Sequence, residues 1–410
     1  MNSPLQLSLV TYKKNAYIIV EGKANADYFY IIREGKVRVS KEVQVVEEEG
    51  GNVLNPGDFF GVVATMSSHS HIETAQALTD VVLIAVHRDQ YGLLIERNAP
   101  VAMKIIMQFS RKMRYLDEAL TKITLKSIAV ANYEHLFNVA EYYARQSKYN
   151  LAYYAYHQYI TCCPGGINVP MAKERMGKIR PYANAVYLNP KNDEFTRKYP
   201  KDTMVFSESQ PGKELYIIQK GSIKISKIVN QNEVLLAVLK SGDIFGEMSL
   251  LENQPRSASA IANEDSVLMA INLDNFQRMV SSQPQMIVRL TQLLSERIWT
   301  LYKQLANTQL SDPLGRLYDA LSIQLEKLRV PINSQPYVFD FGPVDLLNMV
   351  GMPKDEGALI IRKFFTNPKL KIINNRIHLT DKEEVDKQAK YFRKMEKIEQ
   401  ARKAGSMKNM

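Results

Sequence analysis

The residues most able to do chemistry fall in one run: Gly242-Asp243-Ile244-Phe245-Gly246-Glu247-Met248-Ser249-Leu250-Leu251-Glu252-Asn253-Gln254-Pro255-Arg256-Ser257-Ala258-Ser259-Ala260. The pattern reads as a strand, a glycine turn, a short helix, a loop and a second strand. Gly246 lets the backbone approach a ligand closely. A helix beginning near Glu247 turns free N–H groups toward an anion. Arg256 adds a planar charge suited to phosphate. Glu247 is an acceptor for a sugar hydroxyl. One anion site beside one hydroxyl acceptor suits a sugar phosphate. The competing reading pairs Arg256 with Glu247 simply to close a turn.

This run resembles the phosphate-binding cassette of cyclic-nucleotide-binding domains. That pattern is F-G-E-[LM]-[AS]-L, a short loop, then P-R-[ST]-A, and here it stands as FGEMSLLENQPRSASA. The resemblance implies that Glu247 binds the ribose 2′-OH and Arg256 the cyclic phosphate. It also implies a cradle of Gly246, Met248, Ser249, Ser257 and Ala258. In the catabolite-activator branch a Thr-Ser pair on the long helix meets adenine. The matching place here holds Leu301 and Tyr302, a cap and a ring that can stack on a purine. Cyclic AMP is expected ahead of cyclic GMP, with another anionic ligand still open.

The elements that position this run occur twice. Tyr30-Ile31-Ile32-Arg33-Glu34-Gly35 returns as Tyr216-Ile217-Ile218-Gln219-Lys220-Gly221, and Pro56-Gly57-Asp58-Phe59-Phe60-Gly61 as Ser241-Gly242-Asp243-Ile244-Phe245-Gly246. An offset near 185 residues is too long for a solenoid and marks a duplicated domain. Short β-branched runs between Gly, Pro, Asn and Asp turns predict a jelly roll in each copy. In the first copy Val62 stands for Glu247, His71 for Arg256, Ile72 for Ser257 and Glu73 for Ala258. A carboxylate near a phosphate repels it by roughly 1 kcal/mol or more at about 4 Å. The first copy is therefore expected to keep the fold without ordinary nucleotide binding. His69 and His71 lack a third metal ligand and read as turn histidines. Apolar stripes follow both copies: Val101, Ile105, Phe109, Met113, Leu116 and Leu120, then Ile287, Leu290, Leu294, Ile298, Leu301 and Leu305. They predict long helices that pack on their own barrels or, for 284–310, form a homodimer seam.

Beyond the second copy, Ser311-Asp312-Pro313 caps a helix. Residues 344–365 read as helix, glycine turn and a second helix started by Pro353. Residues 369–379 read as a hairpin around Asn374-Asn375. That order predicts a winged helix. From about 207 to 380 the parts resemble transcription regulators of the catabolite-activator (Crp/Fnr) type. Relatives read bases with an Arg-Glu pair and a further Arg. Here those places hold Lys354, Asp355 and Leu359, so bidentate readout of guanine is not available there. Glu356 adds repulsion against phosphate. Arg362, Lys363, Lys369, Lys371 and Arg376 remain for the DNA backbone. A winged helix kept as a protein-contact module is the alternative. Of the net charge of +10, +6 lies in the last 70 residues, which favours nucleic acid over membrane.

Residues 121–186 are helical and tyrosine-rich. Leu136, Ala140, Tyr143, Tyr149, Ala152, Tyr156, Tyr159 and Pro164 are spaced like one tetratricopeptide repeat. One repeat makes no groove alone, so a spacer or a protein-docking element is expected. Cys162 and Cys163 are the only cysteines, and a reducing cytosol suits them. With 410 residues, 45% of them apolar and 23% charged, the chain is ordinary globular material of two to three domains. It shows no span, secretory signal, nucleophile elbow or P-loop, so neither an enzyme nor a membrane protein is expected.

The expected fold is α+β and multidomain: two β jelly rolls, an α-helical insert and a C-terminal winged helix-turn-helix. The boundaries are 1–120 for the degenerate copy, 121–186 for the insert and 187–310 for the second copy with its long helix. The winged helix takes 311–385, and 386–410 is a charged, solvated tail. The expected function is a cytoplasmic, dimeric, cyclic-nucleotide-responsive transcription regulator without a cofactor. The alternative is a signalling adaptor acting through the insert.

Overall fold

The computed structural model describes residues 5, 7–24, 26–41, 52–125, 132–191, 194–229, 231–352 and 354–407. The first copy contains β1 (Ser8–Tyr12), β2 (Tyr17–Ile19), β3 (Tyr28–Glu34), β4 (Val37–Ser40), β5 (Val53–Leu54), β6 (Phe59–Phe60), α1 (Val62–Ser67), β7 (Thr74–Ala77) and β8 (Val81–His87). Two helices follow it, α2 (Tyr91–Arg97) and α3 (Ala99–Leu125). The insert contributes α4 (His135–Arg145), α5 (Tyr149–Cys162) and α6 (Val169–Ile179). The second copy contains β9 (Thr196–Tyr199), β10 (Met204–Phe206), β11 (Glu214–Lys220), β12 (Ser222–Val229), β13 (Asn232–Lys240), β14 (Ile244–Phe245), α7 (Glu247–Glu252), β15 (Ser259–Ala262) and β16 (Ser266–Asn272). Then come α8 (Leu273–Ser282) and α9 (Pro284–Thr308). The C-terminal part runs α10 (Pro313–Lys327), β17 (Tyr337–Val338), α11 (Pro343–Met349), α12 (Lys354–Phe364), β18 (Leu370–Ile373), β19 (Arg376–Leu379) and α13 (Lys382–Met407).

The duplication is visible strand by strand. The first copy has sheets ordered β1-β8-β3-β6 and β2-β7-β4-β5, and the second has β9-β16-β11-β14 and β10-β15-β12-β13. Tyr30 opposes Phe60 and Ala85, as Tyr216 opposes Phe245 and Ala270. Each copy carries the same register shift, after Ile32 and after Ile218. Alternating side chains bury one face of each strand, so the repeated pattern repeats the register.

The chain divides into two compact units. One takes in Asp89–Tyr115, the insert helices, the second barrel and the chain to Leu294; the other takes in the first barrel, α3 from Leu116 and the chain from Ser295. The long helices are thus shared between units, whereas the sequence boundaries kept each with its own barrel. Ile287, Leu290, Leu294, Ile298, Trp299 and Leu305 are all buried within the single chain. Leu301 of the same stripe is half-buried.

In the insert, Ala140 and Ala152 are fully buried where α4 meets α5. The insert core also takes in Met204, Ile228 and Ile261 of the second barrel. Tyr143 and Lys148 reach Glu233 of β13, and Tyr154 donates to the Val205 carbonyl at 3.0 Å. Residues 126–131 of the expected insert lie outside the described residues. Cys162 and Cys163 are free thiols, and burial pushes both above the ordinary thiol range. That disfavours the reactive thiolate.

Asp312 caps α10 by accepting from the N–H groups of Leu314 (2.7 Å) and Gly315 (3.3 Å). α11 and α12 join at Gly351, and β18 and β19 form a hairpin with Asn374 and Asn375 both left-handed. Pro353 lies outside the described residues. The tail differs from the solvated helix expected. Val385 and Ala389 of α13 are buried, Phe392 lies against Gly315, and Arg393 binds Asp319. Spacing of three and four residues gives this charged sequence one packed face.

Candidate ligand site

In the second copy, Gly246 adopts φ 80° between β14 and α7. That left-handed turn favours glycine, and a Cβ here would stand 2.6 Å from Arg256 Nη1. Arg256 is 5% exposed. Its Nη1 donates to the Gly246 carbonyl and its Nη2 to the Glu214 carbonyl, both at 2.6 Å. The guanidinium lies 4.0 Å from the centre of the Phe206 ring. Its Nε has no hydrogen-bond partner among the described residues. Burial pushes the guanidinium below its ordinary value, while Tyr216, Tyr154, Glu214 and Glu247 act the other way. A buried cation with an unused donor is the chemistry of an anion receptor.

The other expected cradle residues flank Gly246 and Arg256 along the chain. Glu247 and Ser249 are each 2% exposed, Ala258 is buried, and Met248 and Ser257 are half-buried. A loop over Ser207–Lys213 covers Arg256. Arg256 N–H donates to the Gln210 carbonyl, and Ser209 N–H to the Arg256 carbonyl, each at 2.8 Å. Leu301 and Tyr302 belong to the other unit, where the Tyr302 hydroxyl donates to Glu21 Oε1 at 2.8 Å. Phe206 and the Glu214 carbonyl at this point are not among the residues expected from the sequence. Only Phe206 carried a signal, as an aromatic residue just before the covering loop.

The first copy repeats the backbone and changes the chemistry. Gly61 adopts φ 82° before α1. Its N–H donates to Glu73 Oε1 at 3.0 Å, in a buried contact. The carboxylate expected to repel a phosphate is thus held on the cassette glycine. His71 is buried, and its backbone repeats the bridge made by Arg256, with N–H to the Lys23 carbonyl at 2.9 Å. His69 Nε2 lies 2.8 Å from Glu296 Oε1, and its ring stacks on Trp299 at 4.0 Å.

At the C-terminal end Arg362, Lys363, Lys371 and Arg376 are exposed, with no ion pair among the described residues. Lys369 pairs with Asp381 at 3.6 Å. Leu359 is 75% exposed and Glu356 is exposed on the same helix. The side chains of Lys354 and Asp355 lie outside the described residues.

The cyclic nucleotide-binding domain family matches the chain twice, over residues 9–98 and 196–283. The Cyclic AMP receptor protein of Thermus thermophilus is 34% identical over 103 residues, 25% of this chain and 48% of that protein. The CRP-like cAMP-activated global transcriptional regulator of Mycobacterium tuberculosis is 29% identical over 120 residues, 29% of this chain and 54% of that protein. The cAMP-dependent protein kinase regulatory subunit of Pyricularia oryzae is 26% identical over 267 residues, 65% of this chain and 54% of that protein. The chain thus spans about half the length of these curated relatives. No described helix is long and apolar enough to cross a membrane. This chain therefore carries two copies of the cyclic nucleotide-binding domain and has regulators of the Crp type among its relatives.

Proposed function

We propose that the chain is a cyclic-nucleotide-responsive transcription regulator with one ligand site, in the second copy, and no catalytic step. The observation that carries this reading is the buried Arg256 guanidinium with a free Nε, between Gly246 and the Phe206 ring. Arg256 takes the cyclic phosphate, and Glu247 and the Gly246–Ser249 turn take the ribose. Cyclic AMP is the first ligand to try, since the bacterial relatives above are named for it. Helices α10 to α12 and the β18–β19 hairpin act as a winged helix. Its exposed Arg362, Lys363, Lys371 and Arg376 meet phosphates, while Leu359 puts an apolar side chain where a base reader would stand. Affinity then exceeds specificity.

Calorimetry on the full chain tests the ligand site. Cyclic AMP or cyclic GMP is expected to bind at one site per chain, with Arg256→Ala abolishing binding and His71→Ala leaving it intact. Heat from neither nucleotide would sink the reading. Gel shifts at two salt concentrations test the DNA arm. Arg362→Ala and Arg376→Ala are each expected to weaken binding across all sequences and to lower the salt slope by about 1. Unchanged mobility would favour a signalling adaptor. That second reading has support in the kinase regulatory subunit match, which covers 65% of the chain.

A further inference from the structure

The loop that presents Arg256 is held at both ends by α3. α7 closes at Glu252, Asn253 turns left-handed (φ 52°), and the chain returns through Pro255. At the near end, Arg114 Nε donates to Glu252 Oε2 at 2.7 Å, and the Ser110 hydroxyl donates to Glu252 Oε1 at 2.5 Å. At the far end, Arg114 Nη1 donates to the Pro255 carbonyl at 3.2 Å. Ser110 and Arg114 stand four residues apart, so one helix face delivers both. The Arg114 and Glu252 side chains are only 15% and 8% exposed. Pro255 is held on its other side by a bridge to Pro211 in the covering loop.

A buried ion pair is a poor source of bulk stability, because desolvation offsets its attraction. Its geometry is nonetheless specific. Here it spans the four residues just before the ligand-binding arginine. Arg114 Nη2 is also buried with no hydrogen-bond partner among the described residues.

We propose that Ser110 and Arg114 are positioning residues for the ligand site at Arg256. The helix that follows the first copy fixes the 252–256 loop and with it the guanidinium. Ligand occupancy and the order of α3 over 106–114 are then linked. This inference rests on the reading of that site as a cyclic-nucleotide site.

The test uses the full chain with cyclic AMP and cyclic GMP. Arg114→Ala is expected to raise Kd about ten-fold or more, chiefly through faster dissociation. Arg114→Ala with Glu252→Ala is expected to lose less affinity than the two single losses added together, since the substitutions share the Arg114–Glu252 contact. The swap Arg114→Glu with Glu252→Arg restores part of the affinity, which a role in folding alone would not predict for the ligand dissociation rate. Nucleotide is expected to slow amide exchange over 106–114 in the unmodified chain and not in Arg114→Ala. If Arg114→Ala does not fold, Ser110→Ala and the exchange measurement decide. No binding by the unmodified chain overturns both the site reading and this inference. Binding by the unmodified chain, with unchanged Kd and dissociation in the variants or no change in exchange over 106–114, overturns this inference alone.

Discussion

In the first copy the cassette glycine, Gly61, gives its N–H to Glu73, while in the second the same position holds Ala258 and the buried charge is Arg256. The sheets around them have the same strand order, the same paired aromatics and the same register shift. A jelly roll is specified by alternating burial and by turn residues, and both copies kept those. Ligand chemistry depends on a handful of side chains at one turn, and the first copy exchanged those. There the glycine N–H is met by the chain's own carboxylate. A duplicated fold is therefore weak support for a duplicated function.

The sharpest way to break this comparison is to move the acid. Ala258→Glu is expected to abolish nucleotide binding in the second copy. A carboxylate about 4 Å from a phosphate costs about 4 kcal/mol at an effective dielectric near 20, which is several hundred-fold or more in affinity. Calorimetry reads it, and a Kd within a few-fold of the unmodified chain would refute the exchange argument. Next in size is Glu73→Ala, which leaves a buried N–H on Gly61 without its acceptor. Denaturant unfolding should show a loss of about 1–3 kcal/mol, with a smaller loss for Glu73→Gln.

A third test uses acid, because the insert packs on the second copy. Burial alone would raise Glu233, but hydrogen bonds from Lys224 and Lys148 outweigh it and hold the carboxyl at about 2. A depressed carboxyl stabilises the fold above its unfolded value. That contribution is lost as pH falls from about 4.5 toward about 2. Glu233→Gln should flatten this part of the stability profile, and an unchanged profile would remove Glu233 from the account. The smallest effect is expected from Tyr154→Phe. It removes the hydroxyl that reaches Val205 and lies 3.5 Å from Gln210, at a cost of about 1 kcal/mol on denaturation.

Much of this architecture is legible in the chain. The repeat predicts two like barrels, Asp312-Pro313 the start of α10, and Asn374-Asn375 the hairpin. Gly246 and Arg256 stand out by spacing, and the structure brings them together. Tyr302 shows the limit. Its place on the long helix suggested a ring over the base, yet its hydroxyl lies on Glu21 in the unit of the first barrel. An apolar stripe shows which face of a helix is buried and is silent about what buries it.

The sequence by itself determined the local matters: strands, turns, caps, and which residues stand at the cassette positions of each copy. These follow from short-range periodicity and from residues whose backbone or charge admits few alternatives. Only the tertiary structure decided that Glu73 settles on the Gly61 N–H and that Arg114 reaches Glu252 across 138 residues. Such contacts join residues far apart in the chain, and no local spacing encodes which distant segment a side chain will meet.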